Sequence, residues 1–196
     1  MSMSMSMSES DRRRTATRQR IAAAAAQLVA GRGLAGATID HIAAAAGIGR
    51  ATFFRYFNSK EDAVAEGMTA VWLDRITSAL AAQPADLPAK EAVIGAFGEL
   101  AGGFAEIEDH VRELAKLTRS SEALSAWTLH IYVRYELAIG ELIAPRIPRL
   151  VARDPRPRLI GALAMAVVRI ALDDWLAEGG SLPDRVGQGL AAIAIA

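Results

Sequence analysis

The chain has no cysteine, few aromatic residues and no long hydrophobic run. Without cysteine it forms neither disulfide bonds nor thiolate metal sites. Its three histidines, His41, His110 and His130, lie far apart with no spacing typical of metal ligands. The longest uncharged apolar runs, at 21–30 and 159–168, are about half the ~20 residues that a bilayer span needs. We therefore predict no metal, no cofactor and no membrane span.

The first residues repeat Met-Ser and contain no apolar segment of the kind found in signal peptides. We expect residues 1–14 to be a disordered tail. With no targeting segment evident, the expected location is the cytoplasm.

The zero net charge conceals two oppositely charged parts. Residues 1–60 contain nine Lys/Arg against three Asp/Glu, whereas residues 61–196 contain thirteen against nineteen. The first part therefore has a net charge of +6 and the second of −6. A basic segment is a candidate for binding a polyanion, although a solvated basic tail gives the same composition.

Apolar residues recur every three or four positions almost throughout, and strand-like alternation is absent. Glycine and proline punctuate this pattern, so we predict an all-α protein of eight to ten helices. The predicted helices span 15–30, 39–46, 50–57, 60–80, 89–105, 109–119, 122–144, 158–177 and 184–195. We predict a small basic head at 15–60 and a larger body at 61–196.

The segment 38–62 predicts a helix-turn-helix. Two short helices flank Gly47-Ile48-Gly49, and Thr38 can cap the first of them. Phe53 and Phe57 are four residues apart and therefore share the face that packs onto the head. The opposite face carries Arg50, Ala51, Thr52, Arg55 and Tyr56, side-chain types that suit contacts in the DNA major groove.

This segment resembles the head of the TetR family of repressors. The order and spacing of the family signature are matched by Thr38, Ile42, Ala43, Gly47, Ile48, Thr52, Phe53, Phe57, Ser59, Lys60 and Glu61. The resemblance is good over 21–80, and beyond it only the length and the helical pattern agree. It implies an N-terminal three-helix head and a helical body that binds an effector and dimerises.

The resemblance also implies roles for particular residues. Those matching Thr38, Tyr56 and Lys60 commonly touch phosphates in this family, and those matching Gly49–Arg55 commonly face bases. Three residues depart from the usual pattern: Gly49 replaces a hydroxyl residue, Ala51 replaces glycine, and Phe54 replaces a tyrosine. The predicted DNA-contacting residues are Thr38, Gly49, Arg50, Ala51, Thr52, Phe54, Arg55, Tyr56 and Lys60.

The arginines that precede or enter the first helix have two interpretations. They either follow the DNA backbone or reach the minor groove as an N-terminal arm, or form a run that is disordered until DNA is present. They are Arg12, Arg13, Arg14, Arg18 and Arg20. For His41 we favour a structural or phosphate-adjacent role over a metal role.

The last two predicted helices, 158–177 and 184–195, have apolar stripes suited to a homodimer interface. One stripe contains Leu159, Ala162, Leu163, Ala166, Val167 and Ile170, and the other contains Gly187, Leu190, Ala191 and Ile193. Two such helices from each chain make a four-helix bundle, which the TetR family also uses. The alternative is that both stripes serve only the core of their own chain.

A ligand pocket in the middle helices is implied by the resemblance, although side chains of this type more often form an ordinary core. The candidates are Met68, Trp72, Phe97, Phe104, Leu117, Trp127, Ile131 and Tyr135. Four polar residues on otherwise apolar helices either orient a polar end of a ligand or pair with one another: His130, Arg134, Arg169 and Asp173.

Two other classes of protein, an enzyme and an interaction module, account for part of the sequence. An all-helical enzyme lacks support because no nucleophile–base pair, metal cluster or phosphate loop is evident. A protein-interaction module without DNA binding would explain the helices. It would explain neither the basic charge of the head nor the motif residues that occur there in the family's order and spacing. We therefore expect a dimeric, ligand-responsive repressor of a palindromic double-stranded DNA operator, with a small apolar effector and no enzymatic activity.

Overall fold

The computed structural model describes residues 9–120 and 122–193, apart from the side chain of Ala123. The repeated Met-Ser tail at 1–8 and the end of the last predicted helix at 194–196 lie outside the described residues. The described part contains nine α-helices and no strand, which confirms the all-α prediction. They are α1 (Glu9–Gly36), α2 (Ile39–Ala45), α3 (Arg50–Phe53), α4 (Lys60–Ala82), α5 (Ala89–Ala101), α6 (Glu108–Thr118), α7 (Glu122–Ile143), α8 (Arg156–Glu178) and α9 (Leu182–Ala192).

Several element boundaries differ from the sequence prediction: α1 also runs past its predicted end at residue 30 to Gly36, with a kink at Gly33, and α5 ends at Ala101 instead of residue 105. Helix α1 begins at Glu9, so residues 9–14 are helical instead of belonging to the predicted disordered tail. Glu9 and Asp11 in its first turn favour this start because they complement the positive end of the helix dipole. Helix α3 ends at Phe53 and continues to Tyr56 only as turns, so it is shorter than predicted.

The chain forms two compact units that divide between Ala70 and Val71. The predicted boundary between head and body was at Lys60. Helix α4 begins in the N-terminal unit and ends in the C-terminal unit, so it supplies residues to both. Among the described residues, none of the helices combines the length and apolarity needed to cross a bilayer.

The N-terminal unit packs small residues closely around a few large ones. Ile21 and Ala25 on α1, Ile42 on α2 and Phe53 on α3 are completely buried. Helix α4 lies so close to α1 that a Cβ on Gly67 would be 2.0 Å from the carbonyl oxygen of Ala22. Only glycine leaves room for this approach. The alanine-rich sequence of α1 therefore serves close helix packing.

The C-terminal unit is built on the antiparallel helices α7 and α8. Gly161 on α8 lies against the backbone of Glu136, and Gly140 on α7 lies against the backbone of Pro157. Their shared core includes the fully buried Trp175, whose indole N–H donates to the carbonyl of Gly180 at 3.0 Å. This bond satisfies the polar atom of an otherwise apolar side chain.

Candidate nucleic-acid interface

Helix α2 begins at the predicted cap. The Thr38 hydroxyl accepts a hydrogen bond from the backbone N–H of His41 at 3.2 Å, which satisfies one of the free donors of the first turn. Ile42 and Ala43 are buried, whereas Thr38 and His41 are exposed. The cap therefore fixes the helix start while its side chain remains accessible.

The turn between α2 and α3 requires glycine at one position. Gly47 has a φ of 65°, a left-handed conformation that residues with a Cβ adopt only with strain. The N–H groups of Gly47 and Ile48 donate to the carbonyls of Ala44 and Ala43, which closes the end of α2. Gly49 then has an extended backbone and precedes the first residue of α3.

Two phenylalanines hold α3 in place. Phe53 and Phe57 are buried with their ring centroids 5.8 Å apart, as their four-residue spacing predicted. Burying a side chain of this size stabilises a fold by about 1.5–3 kcal/mol. These two side chains therefore determine which face of α3 and of the turn after it remains exposed.

The predicted DNA-contacting residues lie mainly on that exposed face. Gly49, Arg50, Ala51, Phe54 and Arg55 are exposed, and Thr52 and Tyr56 are half-buried. Arginine can donate two hydrogen bonds to a guanine edge, and threonine and alanine methyl groups can contact thymine. Phe54 is 47 % exposed, which is unusual for a large aromatic side chain and leaves its ring available on this surface.

Arg18 forms a clamp within the N-terminal unit. Its guanidinium donates to both carboxylate oxygens of Glu66 on α4, at 2.6–2.9 Å. It also donates to the carbonyl of Tyr56 at 2.6 Å and lies 4.3 Å from the ring centroid of Phe57. Of the five arginines considered for a DNA arm, Arg18 is therefore engaged inside the protein, while Arg12, Arg13, Arg14 and Arg20 are exposed on α1.

Lys60 is half-buried and donates to two backbone carbonyls. Its Nζ lies 3.0 Å from the oxygen of Leu34, near the end of α1, and 3.1 Å from that of Ala37, in the connection between α1 and α2. A lysine ammonium has three donor hydrogens, so these two bonds leave one for a further partner. Lys60 thus ties the start of α4 to the segment that precedes the helix-turn-helix.

The residues predicted to line a ligand pocket lie in two different units. Met68 is half-buried in the N-terminal unit. In the C-terminal unit Leu117 is buried on α6, and Ile131 and Tyr135 belong to the buried apolar core. Four further aromatic side chains are partly buried against that core: Trp72, Phe97, Phe104 and Trp127.

Two of the four polar residues considered for ligand contact, Arg169 and Asp173, form an ion pair with each other. Asp173 accepts a hydrogen bond from Arg119 at 2.6 Å and lies 3.6 Å from Arg169 on the next turn of α8. Burial raises the pKa of the nearby Tyr132 above its usual value, and the charge of Arg119 partly offsets this. The ring Nδ1 of His130 lies 2.9 Å from the carbonyl of Ala126.

The second helix of this helix-turn-helix carries the exposed Arg50 and the half-buried Thr52. This arrangement is typical of regulators that insert the second helix into the DNA major groove. Comparison with known proteins narrows this class. Residues 21–66 match the family model described as bacterial regulatory proteins, tetR family. Residues 87–195 match a second model, described as the MftR C-terminal domain. The chain belongs to the TetR family of transcriptional regulators.

Individual proteins agree with this assignment. The HTH-type transcriptional regulator TcmR of Streptomyces glaucescens is 30% identical over 157 residues, which cover 77% of this chain and 69% of TcmR. The fold matches that of the TetR-family repressor FadR of Thermus thermophilus, solved with lauroyl-CoA, with a TM-score of 0.64 and 23% identity over 89% of this chain and 91% of that one. A TetR-family regulator from Rhodococcus sp. matches with a TM-score of 0.56 and 18% identity, over 91% and 96% of the two chains.

Sequence reasoning did not identify two acidic residues of this site. Glu66 accepts hydrogen bonds from Arg18, which is 48 positions away. Asp40 accepts a hydrogen bond from Arg50 at 2.9 Å. Neither pair has a spacing that places the partners on one helix face. Only the packing of separate helices brings them together, so no local pattern marks them.

Proposed function

We propose that this chain is a dimeric repressor that binds a palindromic operator and is released from it by a small, largely apolar ligand. The observation that carries the DNA-binding part is the rigidly held exposed surface of α3 and its turn, with Arg50 and Arg55 on it. Thr38, Gly49, Ala51, Thr52, Phe54, Tyr56 and Lys60 complete the proposed contact surface. The residues that only position this surface are Phe53, Phe57 and Arg18.

The dimer is proposed to form through α8 and α9. Leu159, Leu163 and Ile170 on α8 are 54 %, 41 % and 50 % exposed, and their spacing places them on one face. Large apolar side chains exposed in a row are typical of a surface that another molecule covers. On α9 the predicted Leu190 is buried in its own core, whereas Gly187 and Ala191 are exposed.

A paired substitution tests this interface. Leu163→Glu places a charge in the proposed contact, and Val133→Glu on α7 is the matched control because Val133 is similarly exposed, at 47 %. We expect sedimentation to show a dimer for the wild type and for V133E, and a monomer for L163E. A dimer that survives L163E but dissociates in V133E would place the interface on α7 instead.

Ligand binding is proposed to occur in the C-terminal unit, among the residues that line or adjoin its apolar core. An apolar ligand that enters a packed core must change its packing, and so it favours one conformation of the unit over another. Helix α4 begins beside the DNA-contacting residues and ends in this unit, so it is the proposed connection. The coupling is reciprocal, so that bound DNA weakens ligand binding by the same factor.

The release step can be measured directly. The operator is first selected from a random duplex library, and its dissociation constant is then measured with increasing lauroyl-CoA or free lauric acid. A weakening of about 5- to 150-fold is the range expected for an allosteric effector. Unchanged operator affinity at probe concentrations that demonstrably saturate the protein would contradict ligand-controlled release by this class of molecule.

A further inference from the structure

Arg50 is held at two points on the exposed surface. Its Nη1 donates to the Oδ1 of Asp40 at 2.9 Å, and its guanidinium carbon lies 5.6 Å from the ring centroid of Phe54. Asp40 belongs to the first turn of α2 and Arg50 begins α3, so the ion pair joins the two helices of the motif. Both side chains remain more than half exposed, which leaves them accessible to a partner.

The aromatic support of Arg50 is itself anchored. The Phe54 ring packs edge-on against the ring of Phe53, with centroids 5.5 Å apart and an interplanar angle of 89°. Phe53 is completely buried, so Phe54 has a fixed neighbour although it is 47 % exposed. A guanidinium over an aromatic ring gains a weak cation–π attraction at exposed sites. Phe54 and Asp40 therefore restrict the same flexible side chain from two directions.

We propose that Asp40 is a specificity-determining residue that positions Arg50 to read a guanine in the major groove. The proposal rests on the proposed role of Arg50 as a base-contacting residue and adds a second residue to that contact. The bond to Asp40 uses Nη1, which leaves the edge formed by Nε and Nη2 for a second partner. Guanine presents two acceptors, O6 and N7, and that edge can donate to both at once.

The geometry gives Asp40 two effects on DNA binding. First, a preorganised Arg50 loses less side-chain freedom when it meets a guanine, so discrimination between bases increases. Second, the carboxylate repels DNA phosphates, so binding to every sequence becomes weaker. Specificity is the difference between the affinities for two sequences, so the first effect changes specificity and the second lowers affinity in general.

An ion pair that served only the stability of the head would behave differently. Asp40 and Arg50 are both exposed, and exposed ion pairs contribute little to stability. Removal of Asp40 is therefore expected to leave the unfolding temperature nearly unchanged. If Asp40 positions Arg50, its removal changes the base preference at one operator position. A purely structural ion pair would not produce that result.

The test compares base preferences across a set of variants of the full chain. Wild type, Asp40→Ala, Asp40→Asn, Arg50→Ala and the double variant D40A/R50A are each used to select from a random duplex library, and thermal unfolding is followed in parallel. The asparagine variant keeps an acceptor oxygen for Arg50 but removes the negative charge. It thereby separates the positioning effect from the electrostatic one.

We expect R50A to lose the preference for guanine at one position in each half-site. D40A should weaken that preference at the same position by about tenfold, the order of discrimination that a bidentate base contact supplies. D40A should also bind random-sequence duplex more tightly than the wild type, and D40N should share that gain while retaining more of the guanine preference. The double variant should show no loss of preference beyond that of R50A alone.

Several outcomes would overturn the proposal, and they differ from a failure of the proposed function. If D40A binds every sequence more tightly but keeps the wild-type preferences, Asp40 only repels DNA. If D40A alters positions that R50A does not alter, Asp40 contacts bases by itself. If the wild type enriches no sequence at all, the function proposed for the helix-turn-helix is wrong, and this result is visible before any variant is considered.

Discussion

Arg55 is the second arginine on the exposed surface, one turn after Arg50. Its substitution by alanine removes a long cationic side chain from an exposed position, so the effect on stability is expected to be small. We predict that R55A relaxes base preference at a position other than the one that R50A relaxes, with a cost of about 1–3 kcal/mol at that base. Selection from a random duplex library measures this. Unchanged preferences in R55A would remove Arg55 from the base-contacting residues.

Lys60 combines a structural contact with a proposed phosphate contact. In K60A the carbonyls of Leu34 and Ala37 lose a charged donor, and hydrogen bonds to charged groups contribute about 1.5–3 kcal/mol. We predict a lower free energy of unfolding in urea, together with weaker binding to all duplexes by a similar factor. A change in base preference, or an unchanged unfolding midpoint, would contradict this account.

At the scale of residues, the sequence was a good guide to which side chains are buried. It was a poor guide to which charged side chains form hydrogen bonds with each other. The spacing of Phe53 and Phe57 and the cap at Thr38 are local features, and the structure contains both. The bonds from Arg18 to Glu66 and from Arg50 to Asp40 depend on how separate helices pack. Arg18 is an example. The sequence alone does not distinguish a basic residue that contacts DNA from one that binds a half-buried carboxylate such as that of Glu66.

The clamp from Arg18 is the contact that joins α1, α4 and the end of the helix-turn-helix. Arg18→Met removes three charge-assisted hydrogen bonds to Glu66 and the bond to Tyr56. We predict that R18M lowers the free energy of unfolding by about 2 kcal/mol and weakens DNA binding without changing base preference.

Arg18→Lys is the matched control for this prediction. It keeps the charge but cannot form the two-pronged contact with the carboxylate, so an intermediate stability is expected. Urea unfolding followed by circular dichroism measures both variants. If R18M unfolds at the same urea concentration as the wild type, the clamp does not hold the unit together.

The start of α8 carries a pH-dependent contact. Asp154 accepts hydrogen bonds from the side chain and the backbone N–H of Arg156, and these bonds lower the pKa of Asp154 to about 2. Since this value lies below the pKa of 3.8 for a free aspartate, the contribution is fully present above about pH 4 and is lost as the pH falls towards 2.

Thermal unfolding as a function of pH tests this contact. We predict that Asp154→Ala lowers the unfolding temperature at neutral pH and that the difference from the wild type shrinks between about pH 4 and pH 2. A difference that stays constant through that range would mean that the charge of Asp154 does not stabilise the start of α8.

At the scale of elements, glycine and proline marked some helix ends correctly but not the end of α1, where Gly33 produces a kink and the helix continues to Gly36. Gly47 terminates α2 with a positive φ, and Pro157 lies in the first turn of α8 as its position suggested. The start of α1 was predicted too late because its first residues are charged and lack an apolar stripe. Short α3 was predicted too long because Phe57 continues the apolar spacing through turns that are no longer helical.

At the scale of the whole molecule, the division of charge agrees with the division of roles. The basic residues of the first sixty positions belong to the part that is proposed to contact DNA, and the acidic residues of the remainder to the part proposed to bind the effector. The sequence predicted the family, and the proposed division of roles stays a prediction. It did not predict the exposed apolar residues of α7, among them Leu129 and Leu137, because their periodicity resembles that of an ordinary core helix.

The central claim is that the surface formed by α3 and its turn binds DNA with base preference. The most direct measurement is the affinity of the wild type for its selected duplex and for a random duplex over a series of salt concentrations. We predict a clear preference for the selected duplex and a steep, linear fall of log affinity with log salt concentration, because Lys and Arg contacts release counterions. Equal affinity for both duplexes, or affinity that does not change with salt, would contradict the account.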